Sequence, residues 1–221
     1  MRIRVGRCTR YLVAMAAALA AGHPPTGEAI AADFFAGKQI RIINPSGTAG
    51  GYALYGELAA QHLGRFIPGT PTVLLIHMPG ASGLNAMNHL YQVAPRDGTV
   101  ISVLQQLLAS NQARGLPEVR YDAAKFNYII RATSNVPVHM VWHAAKVSSI
   151  DDVKTREVVT AADGASGTHN ILPLAQNALI GTKWKIITGY KGGSHARLAM
   201  ERGEVQAAVS PATLFNEQLK P

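Results

Sequence analysis

Short β-rich runs alternate with amphipathic stretches along most of this chain, a pattern that predicts an α/β architecture with largely parallel sheets. Apolar and β-branched runs predict strands at Gln39–Asn44, Thr72–His77, Thr99–Val103, Asn127–Arg131, Val136–Trp142, Glu157–Ala161, Trp184–Thr188 and Glu204–Ala208. Between them the spacing predicts helices over Tyr52–Leu63 and Leu84–Gln92, within Asn170–Leu179, and over His195–Arg202. In the first helix Leu54, Leu58 and Ala59 fall on one face and Gly64 supplies a stop; Gly203 stops the last. The polar stretch Thr133–Pro137 ends in proline and predicts a boundary, with a first α/β lobe over 33–132 and a second over 133–221.

The opening residues break this pattern. Arg2, Arg4, Arg7 and Arg10 form a basic segment, an apolar run follows from Tyr11 to Ala21, Pro24 and Pro25 interrupt it, and Ala29-Ile30-Ala31 offers a cleavage site. This predicts a cleavable signal peptide over residues 1–31 and a periplasmic mature protein. The apolar run is well short of the roughly 20 residues that span a bilayer.

Composition adds little to the class but narrows the partners. With 221 residues, 48% hydrophobic and 15% charged, the chain has material for one sizeable domain or two small lobes. The single cysteine, Cys8, lies in the signal, so the mature protein is expected to carry no thiol and no disulfide. The formal charge is +8; removing the signal leaves 17 basic against 12 acidic residues, a net +5. Those cations are scattered and not interleaved with aromatics, which points away from nucleic acid and towards a mild attraction for small anions.

Candidate chemistry lies in the loops that lead from strands into helices. Ser46-Gly47-Thr48-Ala49-Gly50-Gly51 joins the first strand to the first helix. Two readings stand for it: a plain tight turn, or an anion cradle in which the free N–H groups and positive dipole end of the helix face a carboxylate or phosphate. The spacing matches neither G-x-G-x-x-G nor the P-loop, so nucleotide binding has no specific support. Gly164-Ala165-Ser166-Gly167-Thr168-His169 repeats the arrangement in the second half. Ser166 and Thr168 there are hydroxyl donors for a ligand, N-caps for the helix, or both. If the halves face each other, a dicarboxylate is held with one end on each helix start. Met78–Gly83 and Gly189–Gly193 are further loops of this kind, and Tyr190 and Lys191 of the latter join the candidate ligand-binding set.

Taken in order, Pro79-Gly80-Ala81-Ser82-Gly83, Ala94-Pro95-Arg96-Asp97-Gly98-Thr99, Tyr121-Asp122 and Tyr190-Lys191-Gly192-Gly193 resemble the substrate-binding receptors of tripartite tricarboxylate transporters, the Bug receptors. The resemblance implies a type II periplasmic-binding-protein fold, two lobes closing on a small organic carboxylate. It implies a monomer that hands this ligand to membrane permease subunits, with no cofactor and no metal. It also implies that Ser46–Gly51 and Gly164–His169 hold the carboxylate. Ala53 stands where the family often has an aspartate, which disfavours ligands bearing an amino group. Family members continue past the position of Pro221, so the first lobe is expected to be incomplete and the receptor shortened, to the point of a non-functional product in one reading.

Catalysis has thin support. His139 and His143 lack the glutamate of H-E-x-x-H and lie in a β-rich run, Gly80–Leu84 falls one residue short of G-x-S-x-G, and the neighbouring Asp151 and Asp152 point apart. These two aspartates are better placed to begin a helix after Ser148 and Ser149. The rivals to a transport receptor are an enzyme acting on a phosphorylated substrate, with Lys191 as phosphate partner, and a receptor that reports ligand to a membrane signalling partner.

Overall fold

The computed structural model describes residues 34–212, so the predicted signal peptide over residues 1–31 lies outside the described residues. Two sheets organise them. In the first, β1 (Gln39–Asn44) lies between β2 (Thr72–His77) and β3 (Val100–Ser102), all parallel, with Ile43 opposite both Ile76 and Ser102. In the second, the order is β4 (Pro137–Val141), β7 (Ala207–Pro211), β5 (Val158–Ala161), β6 (Trp184–Ile187). Here β5 runs parallel to both neighbours, and β4 is antiparallel to β7. The mainly parallel α/β class expected from the alternation is therefore present.

Six α-helices join these strands among the described residues: α1 (Gly51–His62), α2 (Leu84–Gln92), α3 (Leu108–Ala113), α4 (Ile150–Thr155), α5 (Thr168–Ile180) and α6 (Gly193–Glu201). Strand alternation splits β1 between two cores. Ile40 and Ile42 are buried on one face, while Ile43 joins Leu84, Met87, Leu108 and Tyr121 on the other. In the second sheet small residues let a helix come close: Ala161 and Ala208 pack with Ala196, Ala199 and Met200 of α6. The neighbouring Ala207 faces the other way, against Val153, Val158 and Trp184. α4 begins after Ser148 and Ser149 as expected, because Asp152 accepts hydrogen bonds from both their amides, at 2.7 and 3.0 Å. Those bonds hold the Asp152 carboxyl below its ordinary pKa.

Four expectations are corrected. Leu54 and Leu58 do not form the buried face of α1: they are 63% and 52% exposed, and the helix buries Ala53 and Gly56 instead. The reason is close approach, since a Cβ added at Gly56 would lie 2.7 Å from Leu75 Cδ1. Gly64 does not stop the helix; it sits inside a 3-10 turn, Leu63–Phe66, where the backbone passes so near Pro71 that an added Cβ would meet its carbonyl oxygen at 2.5 Å. Asn127–Arg131 forms no ladder, and Ile129 and Ile130 are 78% and 86% exposed. A strand needs a partner for its amides as well as β-branched residues. Finally, the predicted strand Glu204–Ala208 begins only at Ala207, because Gly203 and Glu204 are used to close α6, their amides bonding to Met200 O and Ala199 O.

Candidate functional site

Asn44 builds the first loop. Fully buried at the end of β1, it donates from Nδ2 to the carbonyls of Ser46 (3.2 Å) and Gly47 (3.1 Å) and contacts His77 Nδ1 at 2.7 Å. Its Oδ1 accepts from the Ser46 hydroxyl at 3.3 Å. An asparagine that satisfies two turn carbonyls fixes the path of Pro45–Gly50 into α1 without help from the helix.

The helix that follows starts on glycine. Gly50 is the N-cap, at φ 103°, with no side-chain cap and no acidic residue in the first turn. α5 starts in the same way on Gly167 and α6 on Gly192. The expected side-chain capping of α5 by Ser166 or Thr168 is thus absent: the Thr168 hydroxyl is in contact with the Gln106 amide, and Ser166 is turned towards Ala81. All three helix starts keep first-turn N–H groups that no side chain satisfies, so each presents positive potential.

These starts converge. A Cβ added at Gly50 would lie 3.0 Å from Ser194 Oγ, so the beginnings of α1 and α6 abut. One added at Gly193 would lie 3.0 Å from His169 Nε2, which brings the first turn of α5 against α6. Gly47 lies near the Lys191 carbonyl and the His195 ring, 3.7 and 3.9 Å from the position its Cβ would take. The two loops singled out in the sequence, Ser46–Gly51 and Gly164–His169, therefore come together with Tyr190–His195 where the halves carrying the two sheets meet, at a junction that is the candidate cleft.

The cleft is not uniformly positive. Asp163 Oδ1 lies 3.2 Å from His169 Nδ1, both side chains being about four-fifths buried, and a Cβ added at Gly167 would collide with that carboxylate. Across the cleft Tyr52 accepts a hydrogen bond from the Gln106 amide at 3.0 Å. Burial raises the Tyr52 phenol pKa; the Gln106 bond opposes this and the Asp163 charge adds to it. Asn44, Tyr52, Asp163, Ser194 and the pair Gln105–Gln106 were not among the candidate residues. Asn44 has a signal in the Asn-Pro-Ser turn sequence, and Asp163 stands in the loop itself; nothing local marks the glutamines, which reach the site only through folding. No group of three or more His, Cys, Asp or Glu side chains among the described residues is arranged to hold a metal.

Surface concavities lie elsewhere. One of about 600 Å³ runs between α2 and the segment 117–120, lined by Asn85, Asn88, His89 and Arg120 among others, and none of the candidate residues borders it. No helix among the described residues is long and apolar enough to cross a membrane.

No protein-family profile matches the sequence, and no curated protein does. Solved structures do match. One is R. palustris Rpa4515 with adipate, at 17% identity and a TM-score of 0.67, covering 82% of this chain and 62% of that one. Another is MatC (Rpa3494) from Rhodopseudomonas palustris with bound malate, at 15% identity and 0.66, covering 79% and 60%. A TctC solute-binding protein from Polaromonas matches at 20% identity and 0.53, covering 80% and 61%. The chain spans about three fifths of the length of the solved structures it matches. At these identities the likeness is one of fold, and the fold of this chain is that of the periplasmic solute-binding proteins.

Proposed function

We propose that this chain is a periplasmic solute-binding protein that captures a small organic carboxylate for a transporter of the tripartite tricarboxylate type, after export by a cleavable signal peptide over residues 1–31. The observation that carries the reading is the meeting of three glycine-started helices, α1, α5 and α6, whose first turns lack both side-chain caps and acidic residues. Such a meeting is matched to a compact anion, since main-chain N–H groups from both lobes contribute and no side chain has to be desolvated to make room. Two of the structures with this fold were solved with adipate and malate, which supports a carboxylate over a phosphate.

The ligand set we assign is Ser46–Gly51, Gly164–His169, Tyr190 and Lys191. In it the main chain of Gly50, Gly51 and Thr168 supplies donors, and the His169 ring engages the Asp163 carboxylate. Membrane permease subunits take the ligand onward. A catalytic role is disfavoured because the Asp163–His169 couple lies against the glycine backbone of residues 167 and 193, and the neighbouring Thr168 hydroxyl is engaged by the Gln106 side-chain amide.

Thermal denaturation with adipate, malate and citrate tests this reading. A ligand that binds only the folded chain adds about 2.7 kcal/mol when present at one hundred times its Kd, enough to raise the Tm by several degrees. A folded sample whose Tm is unmoved by every one of these acids rejects the proposal.

A further inference from the structure

We propose that two serines on opposite lobes, Ser166 and Ser82, set the balance between closed and open arrangements of the cleft, one favouring closure and the other opposing it. Ser166 is 3% exposed, and its hydroxyl donates to the carbonyl oxygen of Ala81 across 2.7 Å. The bond links residues 85 positions apart, from the second-sheet half to the first, and Gln105 Nε2 reaches back to the Ser166 carbonyl at 3.4 Å. Opening the cleft breaks both contacts.

Ser82 is the counterweight. Its Oγ is buried and has no hydrogen-bond partner among the described residues. What covers it is the second-half loop, since a Cβ added at Gly164 would lie 2.8 Å from that oxygen. A hydroxyl deprived of water without a replacement partner destabilises the arrangement that buries it. Opening the cleft uncovers Ser82 and returns it to solvent. The loop that carries it is already unusual: Gly80, Ala81, Ser82 and Gly83 all have positive φ, from 47° to 129°. That left-handed run turns the Ala81 carbonyl towards Ser166 and the Ser82 hydroxyl beneath Gly164.

The Ser166 bond and the orphaned Ser82 hydroxyl act on closure in opposite directions, so each offsets part of the other in an equilibrium that a ligand can shift. The Ser166 hydroxyl, taken up by the Ala81 carbonyl, is then a positioning group that acts on affinity through the lobe arrangement, and only the main chain of Ser166 is left for the ligand. Gly83 extends the coupling to the ligand loop, because a Cβ there would meet Pro45 at 2.9 Å and Gln105 at 3.2 Å.

The test is a pulsed electron-spin distance measurement on the full chain, with nitroxides at Glu57→Cys and Lys185→Cys, both exposed, and Cys8→Ser to remove the native thiol. In the absence of ligand, Ser166→Ala is expected to move the distribution to longer distances and Ser82→Ala to shorter ones. With adipate as probe, Ser166→Ala raises the Kd about tenfold and Ser82→Ala lowers it several-fold, the scale of one buried hydrogen bond in each direction. Unchanged distances in both folded variants, or shifts of the same sign, overturn the proposal. Should Ser166→Ala fail to fold, the direction of Ser82→Ala alone decides. The link to affinity rests on the carboxylate reading; opposite distance shifts without adipate binding uphold the serine pair and remove that reading.

Discussion

His139 lies flat against Trp184, with ring centroids 4.2 Å apart and 12° between their planes. Both imidazole nitrogens are buried without hydrogen-bond partners among the described residues, and burial pushes the pKa down to about 4. In the unfolded chain the same ring titrates near 6.5. Between those values the unfolded state binds a proton that the folded state refuses, so stability falls as pH drops from about 6.5 to 4 and is indifferent to this group above that window. A shift of this size corresponds to a loss of at most about 3–4 kcal/mol. Melting curves across that range should show the decline, and His139→Phe, which keeps the stack and cannot be protonated, should flatten it. An unchanged acid limb in the variant places the titration on another residue.

The Asp163–His169 pair makes a second expectation. His169→Ala leaves the largely buried Asp163 carboxylate without its ring contact and turned loose beside a bound anion, and like charges repel most where water is scarce. Carboxylate binding should weaken by tenfold or more, with Asp163→Asn in the same chain restoring part of the loss. Calorimetric titration of the single and double variants measures this; additive losses would mean the two residues act separately.

Adjacent glycines at the start of α1 should behave differently. Gly50 has φ 103° and faces Ser194, whereas a Cβ at Gly51 would meet nothing within 4 Å. Gly50→Ala therefore carries a backbone penalty of about 1–3 kcal/mol and disturbs ligand binding. Gly51→Ala should leave the Tm level or slightly higher. Equal effects from the two would show that the φ requirement at Gly50 is relaxed in solution.

Gly64 tests the corrected reading of the segment after α1. Since the clash there is with the main-chain oxygen of Pro71, which cannot rotate away, Gly64→Ala is expected to cost about 1–3 kcal/mol in chemical denaturation. A helix-stop role predicts little change, because residue 64 does not need a left-handed conformation: its φ is not positive.

Much of the framework was legible because parallel strands announce themselves as apolar runs. Thr72–His77 and Leu84–Gln92 have the bounds the sequence predicts, and β1 does too. Asn127–Arg131 misled for the converse reason, its Tyr-Ile-Ile composition describing a surface suited to pairing while the partner is a matter of tertiary arrangement. The face of α1 misled because glycine and alanine bury through closeness, which hydrophobicity scales do not register. At the cleft, the glycine loops were visible as loops, but the partners of Ser166 and Thr168 come from residues 81 and 106, and no local pattern encodes a meeting across so many positions.

Helix starts that end on glycine place their electrostatics in atoms every amino acid shares. Side-chain replacement around Gly50, Gly167 and Gly192 can reshape the surroundings, and under the proposed reading the choice among acids, while the main-chain amides persist. Under that reading, selectivity can change by ordinary point mutation while the main-chain donors stay in place.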